Sequence, residues 1–314
     1  MKTFSNICFA VILLGVLLST LGEKFWMLDL FSHFYLQYWF GLVVLLVFYI
    51  YQKNKFRIYL TGLLIAIVTL ELGATVLNRA PMVKLPKESA RVRVFSFNAA
   101  GNSKILDNWL PTRAGTFDVV VLLEAHTHFQ ELMDKLKADY PYQVSHLENS
   151  PFGIAVLSRW EITNTREFQA EGNFYPQYEL QIKMPSGDEF LLFAMHAPPP
   201  FAPQLAEAHE VILGELAEKN QQKKFPAVVV GDLNTTARSH RFTKLVKQTN
   251  LRDTAGISPW AHTWPSALLN IWTFLGIRID QCLVSNSFSL VERERLEDLG
   301  SDHLPVKCVV QIEK

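Results

Sequence analysis

A chain of 314 residues has room for one or two domains. Its 30 Lys+Arg balance 30 Asp+Glu, which argues against a protein that holds nucleic acid mainly through a strongly basic surface but leaves space for a local basic groove. Its 3 cysteines (Cys8, Cys282 and Cys308) match no zinc spacing and no disulfide framework; we read all three as buried apolar thiols, with a Cys282–Cys308 bridge left open.

Three apolar runs open the chain, at residues 7–21, 34–51 and 59–77. The second and third approach the roughly 20 residues that cross a hydrocarbon core, and the first is shorter. Trp26, Tyr35, Tyr38, Trp39, Tyr49 and Tyr51 crowd their ends like an aromatic belt. The first run carries Lys2, as a signal peptide would. However, Ser19-Thr20-Leu21-Gly22 lacks a clean small-x-small cleavage site and two more spans follow, so it is read as a retained helix. Glu71, the charge inside the third run, is read as lying near the interface or against a helix partner, with a functional role left open.

Orientation follows from the short loops. Residues 52–57 hold Lys53, Lys55 and Arg57 and are expected in the cytoplasm. The amino terminus is then also cytoplasmic, the loop with Glu23, Lys24 and Asp29 is outside, and everything after the third helix is extracytoplasmic. Arg79, Lys84, Lys87, Arg91 and Arg93 pull the other way. The expectation is three transmembrane helices within 1–77, a polar linker over 78–90 with Pro81 and Pro86, and a second domain over 91–314.

In that second part, strand-like runs at 92–97, 117–123, 154–157, 178–184, 189–195, 227–230, 278–285 and 304–312 alternate with helical spacing at 130–138, 205–218 and 242–247. This predicts two packed sheets covered by helices. No internal repeat and no low-complexity segment is visible.

Polar residues recur where the buried strands end. Asn98 closes the first strand, Glu124 follows 119–123, and His196 follows 190–195. Asp232 and Asn234 follow 228–230, Asp280 sits in Arg278-Ile279-Asp280-Gln281, and Asp302 and His303 precede the last strand. A single such residue is usually a cap or turn former. Six strand-linked positions with this composition point to a site presented by a rigid scaffold. Carboxylates and an amide oxygen suit a hard divalent cation, and there are too few cysteines for a soft-metal site. A phosphodiester needs charge neutralisation, an oriented water and a proton for the leaving group, which a metal, His and Asp together supply.

The order Ser96-Phe97-Asn98, Leu123-Glu124, His196, Gly231-Asp232-Leu233-Asn234, Thr263-Trp264, Ile279-Asp280, Ser301-Asp302-His303 resembles the endonuclease/exonuclease/phosphatase superfamily, the DNase I-like fold. With the amino-terminal spans it looks like the bacterial membrane-bound members. The resemblance spans roughly 92–312 and implies a four-layered α/β sandwich with Mg²⁺- or Mn²⁺-dependent phosphoester hydrolysis. It implies Glu124 as principal metal ligand, with Asn98 beside it and Asp302 near the metal. Asp232 would orient or deprotonate water and Asn234 would hold the phosphate. His303, oriented by Asp280, would be the acid/base or phosphate-contacting histidine, and His196 would contact the phosphate or aid the leaving group. Many members carry an acidic residue two positions after the Asn98 equivalent. Here Ala100 stands there, followed by Gly101, which counts against a second metal-binding carboxylate.

Two segments bear on substrate. Residues 196–203 are proline-rich and stiff, either positioning His196 or lining an entrance. Residues 260–277 hold Trp264, Leu268, Leu269, Ile271, Trp272, Phe274 and Leu275; packed, they are ordinary core, and exposed, they suit a lipid or membrane-facing substrate. The expected function is a membrane-anchored, metal-dependent phosphoester hydrolase of the bacterial cytoplasmic membrane, with the catalytic domain outside. Its expected partners are a lipid, nucleotide or nucleic-acid phosphoester and the lipid bilayer. A catalytically silent binding module on the same fold is the alternative, and a transporter is disfavoured because three spans offer little pathway. No protein partner is inferable.

Overall fold

The computed structural model describes residues 2–83, 90–102, 104–169 and 175–313. Lys84, Pro86 and Lys87, used above for the linker and the orientation, lie outside the described residues. Two compact units result: residues 1–78 with 235–244, and residues 79–234 with 245–314. The short segment 235–244, which the sequence places in the second domain, groups with the amino-terminal helices.

The first unit contains α1 (Lys2–Ser19), α2 (Trp26–Asp29), α3 (Tyr35–Tyr51) and α4 (Lys55–Val76). A 3-10 turn, Leu30–Phe34, joins α2 to α3. Three stretches, Lys2–Ser19, Trp26–Tyr51 and Lys55–Val76, are long and apolar enough to cross a membrane. The last begins ahead of the apolar run because the Asn54 side chain accepts a hydrogen bond from Arg57 N and caps it. The helices meet on Phe9, Val16, Tyr35, Leu42, Leu45, Tyr49, Leu64 and Val68. Their outer faces leave Val44, Val47, Ile50, Leu63 and Leu70 exposed. Helices that are apolar on the outside as well as the inside suit a lipid surround.

The second unit is built on two six-stranded sheets. One has the order β11-β12-β1-β2-β4-β3, with β1 Arg91–Asn98, β2 Val119–Leu123, β3 Tyr142–His146, β4 Ile154–Ser158, β11 Phe288–Arg295 and β12 Val306–Ile312. The other has the order β5-β6-β7-β8-β10-β9, with β5 Glu161–Phe168, β6 Gln177–Lys183, β7 Glu189–His196, β8 Ala227–Asp232, β9 Arg252–Asp253 and β10 Asp280–Val284. Both sheets are mixed: β1 runs parallel to β2, and β7 parallel to β8.

Strands alternate their side chains between faces. Val92 and Val94, Val119 and Val121, Ile154 and Val156 meet Leu180, Leu192, Val228, Val230 and Cys282 in a core between the sheets. The opposite face of the first sheet, with Phe95, Phe97, Val120 and Leu122, packs on Leu106 of α5 (Leu106–Trp109) and on Phe129 and Leu132 of α6 (Phe129–Lys135). The helix α7 (Pro203–Gln221) buries Ala206, Ile212, Leu213 and Leu216. His209 of α7 reaches the Leu233 carbonyl at 2.9 Å, tying the helix to the end of β8. The predicted four-layered α/β sandwich is the observed architecture.

One cysteine expectation is corrected. Cys282 in β10 and Cys308 in β12 are joined by a disulfide, with Cα atoms 6.7 Å apart. Both side chains point into the gap between the sheets, so the bridge crosses the core. Cys8 is free.

Candidate active site

The alternation that builds the core also builds the site. Asn98 continues the inward series Val92, Val94; His196 continues Phe190, Leu192, Ala194; Asp232 continues Val228, Val230; Asp280 precedes Cys282 and Val284. All four therefore face the gap between the sheets at one end, where apolar packing gives way to polar groups. Strand register sets three of them side by side, with His196 paired to Asp232 and Asp232 to Asp280.

Local backbone turns place the remainder. Glu124 and Asn234 adopt left-handed conformations, with φ of 52° and 46°. Such conformations are unfavourable for residues with a Cβ and cluster at functional sites. Gly231 has φ 131°, and a Cβ there would stand 1.9 Å from the Met195 carbonyl oxygen. Only glycine lets β8 approach β7 this closely one residue before Asp232.

Asn98 bridges two carboxylates, its Nδ2 donating to Glu124 Oε1 at 3.0 Å and to Asp232 Oδ2 at 3.3 Å. Its Oδ1 accepts from Ala100 N at 3.1 Å. Asn234 donates its backbone N to Asp232 Oδ1 at 2.8 Å. The Asn234 Nδ2 donates to Asp232 Oδ2 at 3.2 Å and to the Ala197 carbonyl at 2.9 Å. His303 Nδ1 donates to Asp280 Oδ2 at 2.9 Å, and its Nε2 faces Asp232 Oδ2 at 3.6 Å. His196 Nε2 stands 3.9 Å from both Glu124 Oε1 and Asp232 Oδ2.

Electrostatics divide these groups. Burial pulls the His303 imidazole down, but the Asp280 and Asp232 carboxylates overcome it and hold the group up at about 10. Burial raises Asp280, yet the His303 charge and hydrogen bonds from His303 and Thr263 win and keep its carboxyl low. Asp232 is pushed up to about 6, because burial outweighs the attraction of His303. Burial also raises Glu124, opposed by Asn98. It lowers His196, which therefore favours its neutral form. Near neutral pH the site thus offers a charged His303, a neutral His196 and ionised Asp232 and Asp280.

Of the expected metal residues Asn98, Glu124 and Asp302, the charge of Asp302 bears on Glu124. Asn98 and Glu124 touch; Asp302 is exposed and accepts from the Trp264 indole at 3.0 Å. Among the described residues, Asp232, Asp280 and His303 have donor atoms within 4.8 Å of one another. In that group the imidazole already donates to Asp280, so it is arranged as a charged relay more than as an ion cage. Glu124 fits a cation better. Burial disfavours its charge, one hydrogen bond supports it, and its side chain keeps 22% of its surface open. An anion in that condition suits a hard divalent ion, with Asn98 in contact as a second oxygen source once its amide oxygen leaves the Ala100 N–H.

Several supporting residues escaped the sequence reading. Gln177 clamps the backbone of His196: its Oε1 accepts from His196 N at 2.6 Å and its Nε2 donates to His196 O at 2.8 Å. Ser301 Oγ donates to the Asn98 carbonyl at 2.7 Å and accepts from His303 N at 3.1 Å, stitching the last loop to β1. Ser266 Oγ donates to the Ser301 carbonyl at 2.7 Å. Gln177 carries no sequence signal, since it lies 19 positions from His196 and more than fifty from the other predicted site residues. Ser301 was visible as part of a motif but without a role.

Residues 95–303 match the model of the Endonuclease/Exonuclease/phosphatase family, two thirds of the chain and every site residue named above. The chain belongs to that family. Its members are phosphoester hydrolases that typically use divalent metals. Solved structures agree on the fold. An endonuclease/exonuclease/phosphatase from Beutenbergia cavernae is 21% identical, with a TM-score of 0.60 over 71% of this chain and 72% of that one. A Bacteroides vulgatus endonuclease/exonuclease/phosphatase is 16% identical, with a TM-score of 0.56 over 71% and 99%. A humanized D. rerio TDP2 is 14% identical, with a TM-score of 0.57 over 71% and 100%. No curated protein matches the sequence.

Proposed function

We propose that this chain is a membrane-anchored, divalent-metal-dependent phosphoester hydrolase whose catalytic groups are His196, Asp232, Asn234 and His303, with Asp280 as a positioning residue. The carrying observation is the buried Asp280–His303–Asp232 line beside the Asn98–Glu124 pair. Glu124 and Asn98, with Asp302 nearby, would hold Mg²⁺ or Mn²⁺, which supplies charge neutralisation to a phosphate oxygen.

The chain's own residues perform the rest. Asp232, ionised above about 6, accepts the proton of the attacking water. Asn98 and Asn234 fix both of its oxygens, so its orientation is set before substrate arrives. His303, charged below about 10, neutralises the phosphorane-like charge and can return a proton toward the leaving oxygen. Asn234 presents an N–H to a phosphate oxygen in place of one of its bonds to Asp232 or Ala197. His196, neutral and held by Gln177, hydrogen-bonds the leaving group.

The test uses purified full-length protein in detergent with Mg²⁺ and a chromogenic phosphodiester. Asp232→Asn and His303→Gln should each lower kcat by about 10²–10⁴-fold, with circular dichroism unchanged. Wild-type rates in both variants would refute the reading; failure of the wild type to bind Mg²⁺ or Mn²⁺ in calorimetry would favour a silent binding module.

An exposed apolar rim favours a lipid phosphoester over nucleic acid. Trp260 is 69%, Ile271 77% and Trp272 60% exposed. Their segment is attached to the site where Ser266 N donates to the Asp302 carbonyl at 2.8 Å. Trp260→Ser/Trp272→Ser should lower hydrolysis of vesicle phospholipid while sparing a soluble phosphodiester; an equal loss on both overturns this assignment.

Two observations support an extracytoplasmic site. A core-crossing Cys282–Cys308 disulfide suits an oxidising compartment. In the helical unit, residues 235–244 are held by Ser19, Asp29 and Glu71, at helix ends opposite the basic 52–57 loop.

A further inference from the structure

Resting on the hydrolase reading, we propose that the helical unit is a working part of the catalytic apparatus and not a tether alone: Asp29 and Glu71 are positioning residues that fix the segment joined by a peptide bond to Asn234.

An anchor needs one covalent connection. This chain adds a set of polar contacts to residues 235–244 that a tether does not require. Asp29 is buried, and both its oxygens are occupied. Its Oδ2 accepts from Ser239 Oγ at 2.6 Å, and its Oδ1 accepts from His240 N at 2.8 Å. Ser32 Oγ donates to the same Oδ1 at 3.1 Å. His240 opens α8 (His240–Thr249), so Asp29 caps that helix from a distant part of the sequence, and its charge is favourable at a helix amino terminus. Gly22 makes room for the arrangement: a Cβ there would stand 2.9 Å from the His240 ring and 2.7 Å from Asp29 Cα. His240 Nε2 donates to the Ser19 carbonyl at 3.0 Å.

Further contacts reach closer to the site along the chain. His33 Nδ1 hydrogen-bonds Thr236 Oγ1 at 2.9 Å, two residues after Asn234. Arg238 pairs with Glu71 of α4, and its guanidinium lies 4.8 Å from the Tyr35 ring centre. Tyr35 OH is in turn 2.8 Å from Ser19 Oγ. Thus Thr236, Arg238, Ser239 and His240 are each held by a residue from the first 71 positions.

The consequence runs through the backbone. Asn234 is in a left-handed conformation and holds both oxygens of Asp232. That conformation is costly and persists only where its surroundings over-determine it. The bonds to Thr236, Arg238, Ser239 and His240 add to the segment's own turn bonds in constraining the chain on its carboxyl side. Loosening them frees Asn234 to relax, and Asp232 loses the orientation that catalysis uses.

The experiment keeps the full chain, in nanodiscs with Mg²⁺ and a soluble chromogenic phosphodiester. Asp29→Ala, Glu71→Arg and Arg238→Glu should each lower kcat about tenfold or more, with KM within about twofold. The Glu71→Arg/Arg238→Glu exchange should recover most of the loss of either single change, which separates a specific pairing from general damage. Hydrogen exchange supplies a readout that does not depend on turnover. In Asp29→Ala the peptide covering 231–239 should lose protection, including the Asn234 amide, while the peptide covering 190–197 does not. Exchange and kcat like wild type in the single variants, with Asp232→Asn inactive, overturn this proposal and leave the hydrolase reading standing. A double exchange no better than its parents also overturns it. Lost protection at 231–239 in Asp29→Ala, with the wild type inactive on every phosphoester, overturns the hydrolase reading instead.

Discussion

Replacing Asp280 by asparagine isolates the line that we assign to proton management. Asp280 Oδ2 takes the His303 Nδ1 proton at 2.9 Å, whereas Asp232 acts on the other nitrogen from 3.6 Å. An imidazole at about 10 in place of 6.5 favours its charged form by about 5 kcal/mol, the net of burial opposed by the two carboxylates. Asp280 contributes through both charge and a hydrogen bond, so its loss lowers that preference. The alkaline limb of kcat, set near 10 by His303, should therefore move to lower pH. The rate at neutral pH should fall by about 10²–10⁴-fold, because the ring loses its orientation as well as its charge. The stability sign follows from the raised pKa. The contribution is full below 6.5, the unfolded value, and is lost as pH rises through about 10. Asp280→Asn should thus be less stable than wild type at pH 6, with the difference narrowing as pH rises from about 6.5 to about 10. A pH–rate profile, the His303 ring resonances and thermal unfolding at both pH values measure this. An unmoved alkaline limb with a rate within threefold of wild type would show that His303 does not depend on Asp280, and the relay would be wrong.

Three further outcomes follow from the same geometry. The acid limb of activity should lie near 6, where Asp232 ionises, and should move to lower pH as Mg²⁺ is raised, since a nearby cation favours the carboxylate; a limb indifferent to Mg²⁺ and to chelator places no cation near Asp232. Gly231→Ala forces a Cβ to within 1.9 Å of the Met195 carbonyl at φ 131°, and should cost about 1–3 kcal/mol or more, read from the unfolding midpoint and soluble yield. Cys282→Ser/Cys308→Ser opens a bridge with a sequence separation of 26 and should cost about 3–4 kcal/mol; alkylation with and without reductant, followed by mass measurement, reports whether the bridge forms in the cell.

Much of the fold was legible because period-two apolar alternation and strand-ending polar residues are local signals. Asn98, His196, Asp232 and Asp280 each stand one step beyond a run of inward-facing valines, leucines or alanine, so the pattern that marks the core also marks the site. What the sequence does not carry is pairing across distance. Gln177 clamps His196 across neighbouring strands, and nothing in its own surroundings marks it. Cys282 and Cys308 read equally well as two apolar thiols, because only the stacking of β10 over β12 makes them neighbours. The metal candidates were legible by residue type; the contacts join Asn98 to Glu124 and put Asp302 on the Trp264 indole, with its charge bearing on Glu124.

Glu71 shows the same limit from the other side. As one carboxylate in an apolar helix it has two physical readings, a buried functional charge or a partnered interface residue, and the helix alone cannot choose between them. The partner is Arg238, 167 positions later, in a ten-residue segment that reads as ordinary loop and helix start. A charge in an apolar surround costs less when it is paired, and here the partner lies four residues beyond Asn234. The apolar quarter and the phosphate-type motifs therefore need not be two independent parts of the chain. On the proposal above, Asp29 and Glu71 bear on the Gly231-Asp232-Leu233-Asn234 turn through the chain of residues 235–244 that they hold.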